Sequence, residues 1–174
     1  MTANLFSASR AIRQTVIATL VTLCALLGLI DGFAQSARYR RSKSVLLHDL
    51  DVTTGATRSD TASEVCSTAT GTVRHVTSAM KRQVCASYGI AAARCNGRNF
   101  EIDHLIPLEL GGSNGMSNLW PQPYRPQPGA REKDVLENYL HRQVCSGRME
   151  IRVAQQVIVQ DWFSAWKQMV TSPH

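Results

Sequence analysis

The stretch from Phe100 to Pro121 restricts this chain more than any other. Its first part alternates apolar and polar residues, Phe100-Glu101-Ile102-Asp103, in the period-two pattern of a half-buried strand. Pro107 confines that strand to an edge or to its own end, because proline offers no amide hydrogen to a ladder. Gly111-Gly112-Ser113-Asn114-Gly115 reads as a flexible turn, and Asn118-Leu119-Trp120 as the returning strand. Pro121, Pro123, Pro126 and Pro128 then form a loop that cannot be helical, closed by Gly129. A helix is expected from about Ala130 to Val144, where Val135, Leu136, Tyr139, Leu140 and Val144 recur at helical spacing. Ser146-Gly147 breaks it. A last helix is expected from about Met149 to Met169, with Val153, Val157, Ile158, Trp162 and Trp166 on one side. Because these tryptophans follow the apolar stripe, they are assigned to the core rather than to base stacking. A hairpin followed by helices gives an α+β fold class.

The residues before the hairpin divide into three parts. Arg10 and Arg13 precede an uncharged run from Thr15 to Ile30, and small residues follow at Gly32, Ala34 and Ser36. That order of basic, apolar and small marks residues 1–34 as a secretory signal peptide, cut after Ala34, with a retained anchor as the alternative. The protein is therefore expected to be exported, either periplasmic or secreted. Residues 35–62 hold Arg38, Arg40, Arg41 and Lys43 and then mostly Ser, Thr, Asp and Ala, which reads as a flexible linker. The domain itself is expected over residues 63–170. Within it, Thr72–Val76 has a short strand character, and Ser78 caps a helix from about Ala79 to Tyr88 that Gly89 ends.

Setting aside Arg10, Arg13 and Asp31 lowers the formal net charge from +6 to +5. A basic surface raises the local concentration of a polyanion such as nucleic acid. Cys66, Cys85, Cys95 and Cys145 remain after Cys24 leaves with the signal. An even number in an exported chain points to two disulfides, with three pairings open. Zinc is the competing use, but no pair has the short spacing of such sites.

The chemistry concentrates at Asp103 and His104. Neighbouring strand residues point to opposite sides of the pleat, so one side chain can hold a metal while the other serves a different part of the site. Phosphodiester hydrolysis needs a base for water, a cation for the developing charge and donors to hold the phosphate. His104 titrates near neutral pH and suits the first task. A carboxylate-bound divalent cation suits the second. Asn118 can brace the loop through side-chain to backbone hydrogen bonds. Arg125, Arg131 and Lys133 are candidates to grip phosphates.

The Asp-His-x-x-Pro, Gly-Gly and Asn-Leu order resembles the HNH endonucleases, whose core is a ββα-metal unit. The chain is similar above all to small bacterial HNH-like proteins that carry the runs found here at 103–114, 118–121, 133–141 and 144–147. The resemblance covers residues 64–168. It implies Asp103 as a metal ligand, His104 as general base, Asn118 as the bracing residue and DNA as the substrate; cutting without sequence preference is expected because no recognition helix is visible in the sequence. Many HNH enzymes add a His or Asn ligand from the start of the helix, where this chain reads Gly129-Ala130-Arg131-Glu132. Asp134, Glu137 and His141 lie on one helical face, and Glu137 with His141 are the replacements expected to reach the ion. Magnesium or manganese fits carboxylate and amide ligands, and zinc fits if His141 binds. The alternative function is an exported nucleic-acid-binding protein that keeps the fold without catalysis.

Overall fold

The computed structural model describes residues 37–172. The expected signal peptide lies outside these residues, and so does its cleavage site. Among the described residues no helix is long and apolar enough to cross a membrane.

The central hairpin forms as its alternation requires. Strand β3 (Phe100–His104) pairs antiparallel with β4 (Leu119–Pro123), with Asp103 opposite Trp120 and His104 opposite Leu119. The first strand stops at His104, short of Pro107, and short 3-10 turns at Leu108–Leu110 and Met116–Asn118 carry the chain round. Gly111 and Gly112 are required there. Gly111 has φ +81°, and a Cβ on Gly112 would stand 1.8 Å from the Ile106 carbonyl oxygen.

The flanking helices are α1 (Ala62–Ser67), α2 (Thr70–Val73), α3 (Ser78–Ser87), α4 (Ala130–Cys145) and α5 (Ile151–Thr171). The strand expected at Thr72–Val76 does not form: Thr72 and Val73 end the helical turn α2, and Arg74–Val76 are irregular. Helix α3 starts one residue earlier than expected, with Thr77 rather than Ser78 as cap; its hydroxyl accepts from the Met80 amide. Helix α5 is interrupted at Asp161, whose backbone is not helical.

Leu136, Leu140 and Val144 of α4 pack with Ile158 and Trp162 of α5 and with Leu105, Ile106 and Trp120 of the hairpin. Each buried side chain of this size contributes about 1.5–3 kcal/mol. Val135 and Val153, placed on the apolar stripes from sequence, are exposed.

The flexible linker expected at 35–62 is packed from Ala37 onward. Strand β1 (Arg40–Ser42) pairs with β2 (Val45–Leu47), and Val45, Leu47, His48 and Thr53 are buried. Tyr39 donates its hydroxyl to the Pro121 carbonyl at 2.7 Å, and Thr53 donates to that of Leu119 at 3.0 Å. Backbone amides of Arg58 and Ser59 both reach the Gly111 carbonyl. The averaged polar composition hides these few apolar anchors and says nothing of backbone pairing. The segment therefore belongs to the folded unit.

Two disulfides staple the fold, joining Cys66 to Cys145 and Cys85 to Cys95. The first ties α1 to the end of α4.

Candidate functional site

The last two residues of β3 supply the site, and the period-two pleat sends their side chains different ways. The His104 ring is 1% exposed. Its Nε2 lies 3.2 Å from Asn114 Oδ1. The orientation of that amide is fixed from both ends. Asn114 Oδ1 accepts from the His75 backbone amide at 2.9 Å, and Nδ2 donates to the Val73 carbonyl at 2.8 Å. An amide oxygen only accepts, so His104 must donate through Nε2, and in the neutral ring the lone pair is on Nδ1. Among the described residues no group donates to that buried nitrogen. A buried polar atom left this way costs about 1–3 kcal/mol, which asks for an explanation beyond stability.

Burial holds His104 below the usual histidine range, and the positive charges of Arg74 and Lys133 push the same way. The Asn114 bond and the Asp103 charge oppose them. The ring is therefore neutral at neutral pH and can take a proton at Nδ1.

Asn118, expected to brace the loop, lies between its two arms. Its buried side chain accepts from the Ile106 amide and donates to the Ile106 and Ser113 carbonyls, all at 2.9 Å. These three bonds close the loop that carries Gly111 and Gly112, and with it Asn114.

Asp103 meets helix α4 through a lysine. Lys133 is 0% exposed, and its Nζ donates to Asp103 Oδ2 at 2.9 Å, to the His104 carbonyl at 2.8 Å and to Glu137 Oε1. Burial alone would lower its basicity, but the Asp103 and Glu137 carboxylates outweigh burial and raise it. Burial raises the Glu137 carboxyl, and the Asp103 charge adds to this against Lys133. The phosphate-gripping role expected of Lys133 is thus ruled out by its position. Lys133 is in phase with Leu136, Leu140 and Val144, so the helical stripe already pointed it inward.

The expected ligand set does not assemble. Asp103 and Glu137 come together, but around an ammonium, and His141 turns away to the disulfide, its Nε2 3.3 Å from Cys145 Sγ. Ala130, at the helix start, is buried and brings no ligand atom. A magnesium or manganese ion on Asp103, Glu137 and His141 does not fit these residues. Cys66, His141 and Cys145 place their ligand atoms within 4.8 Å of one another, a group that could hold a metal ion were the sulfurs not bonded to each other.

Beside the hairpin lie two polar clefts. One, of about 370 Å³, is lined by Arg98, Tyr124, Arg125 and Arg131, and the other, of about 350 Å³, by Arg74, Lys81, Glu101 and Tyr124. Arg125 and Arg131 were expected to contact nucleic acid, whereas Arg74, Lys81 and Arg98 were not singled out in the sequence. Among the described residues none of these five cations has a carboxylate partner. Glu101 shares a strand side with Asp103. Burial raises its carboxyl, and the charges of Asp103 and Asp134 raise it further.

Compared with protein-family models, curated proteins and solved structures, the chain matches none of them.

Proposed function

We propose that this chain is an exported phosphodiester hydrolase of the HNH type that acts on nucleic acid, DNA first, with His104 as its general base. One observation carries the reading: a buried histidine whose Nε2 faces the oxygen of a doubly anchored asparagine, leaving Nδ1 with no hydrogen-bond partner among the described residues. Water attacking phosphorus would pass its proton to that nitrogen as the bond to the leaving oxygen breaks. The unpaired cations of the two clefts are the groups available to hold the phosphate backbone. Magnesium or manganese was the cofactor expected, but Asp103 and Glu137 close on an ammonium and His141 lies at the disulfide. The hairpin, the helix behind it and the Asp103-His104 pair support the HNH assignment, together with the motif order read in the sequence.

The alternative, a binding protein without catalysis, is favoured by the ligand-free helix start at Ala130. Purified protein is incubated with supercoiled plasmid beside His104→Ala, and DNA affinity is read by fluorescence anisotropy. Nicking by the wild type alone supports the hydrolase. Equal nicking by both proteins removes His104 from its role. Binding with no product from either protein favours the alternative.

A further inference from the structure

The cradle between β3 and α4 is built around a positive charge carried by the chain itself. An ammonium has three hydrogens, and the Lys133 Nζ finds three acceptors, from Asp103, the His104 backbone and Glu137. Two of these come from the end of the strand and one from the helix, so a single group joins hairpin and helix. The lysine is fully buried and sits on the apolar stripe of α4, where its stem is held by the core. Asp103 and Glu137 each give an oxygen to this ammonium. A divalent cation placed between them would face a fixed like charge at close range in a medium that screens poorly.

We propose that the Lys133 ammonium is the resident cation of this cradle, standing where the resemblance places a divalent metal ion, and that the Asp103–Glu137 pair binds no divalent metal. Lys133 is then a positioning residue. It holds the backbone of His104 through the carbonyl and fixes the Asp103 carboxylate against helix α4. The binding statement is independent of the hydrolase reading, and its consequence for turnover, that cleavage persists in chelator, rests on that reading.

The test uses purified protein, freed of metals with EDTA and titrated with Mn²⁺ under electron paramagnetic resonance, beside Asp103→Asn, Lys133→Ala and Lys133→Ala/Glu137→Gln. Wild type is expected to show no stoichiometric site that depends on Asp103. Lys133→Ala, with two carboxylates released, is expected to bind Mn²⁺ at least about tenfold more tightly than wild type, and the added Glu137→Gln change to cancel the gain. A wild-type Mn²⁺ site that Asp103→Asn abolishes would overturn the proposal, and this comparison decides even if Lys133→Ala fails to fold. Plasmid nicking in EDTA should match nicking in Mg²⁺ within about twofold. Cleavage that EDTA stops and Mg²⁺ restores would also overturn it. If no form cuts DNA, the hydrolase reading fails while the Mn²⁺ titration still stands.

Discussion

Asn118→Ala should cost the fold about 3 kcal/mol. The side chain is fully buried and makes three hydrogen bonds of 2.9 Å, one accepted from the Ile106 amide and two donated to the Ile106 and Ser113 carbonyls. Alanine leaves all three backbone groups without that partner. Each such group costs about 1–3 kcal/mol when it stays dry, and water entering the space brings the figure toward the lower end. Three groups at about 1 kcal/mol each give the estimate, a large part of the 5–15 kcal/mol typical of a domain. Asn118→Asp sharpens the test. It has nearly the same shape and still accepts from Ile106, but above the carboxyl's titration it turns a bare oxygen toward two carbonyls. Its stability should therefore fall as pH rises through the range where that buried acid ionises, the opposite of an ordinary acid limb. Urea denaturation at several pH values reads both variants. A loss under about 1 kcal/mol for Asn118→Ala, or an Asn118→Asp protein as stable as wild type at neutral pH, would refute this account of the loop.

Two further outcomes follow from groups away from the site. His48 is buried edge-on to Trp120, and among the described residues neither ring nitrogen has a hydrogen-bond partner. Burial, then Arg40 and Lys133, push it down to about 4, against Asp49 and Asp161. The folded state thus prefers the neutral ring, so its contribution is complete above the unfolded value near 6.5 and is lost as pH falls toward 4. The gap corresponds to about 3 kcal/mol, and His48→Phe should flatten urea midpoints over that window; superimposable acid limbs would contradict it. Replacing Cys66 and Cys145 together by serine should cost about 4 kcal/mol and replacing Cys85 and Cys95 about 3 kcal/mol, because the bridges span separations of 79 and 10 residues. Thermal unfolding checks the order, and a reversed order would count against an unfolded-state origin.

The hairpin and the two long helices were legible because period two and period 3.6 are written in Phe100–Asp103 and in Leu136, Leu140 and Val144. Asn118 was singled out by the Asn-Leu step that follows the Gly-Gly turn, where an amide side chain can bond the loop backbone. Lys133 was misread because a cation near a helix start suggests phosphate, while its phase with the apolar stripe carried the opposite message. Asn114 had no local signal. Its task depends on Val73 and His75, some 40 residues away, and sequence spacing does not report such contacts. The packing of residues 37–62 was hidden for the same reason, since its partners are the Leu119, Pro121 and Gly111 carbonyls.

The most direct measurement is the tautomer of His104, read at neutral pH from the ¹⁵N shifts and long-range ¹H–¹⁵N couplings of ring-labelled protein, assigned with His104→Gln. A neutral ring with hydrogen on Nε2 and a bare Nδ1 is the predicted result, converting to the Nδ1-protonated or mixed state in Asn114→Ala. A ring that is doubly protonated at neutral pH, or carries its hydrogen on Nδ1 in the wild type, would contradict the role given to His104.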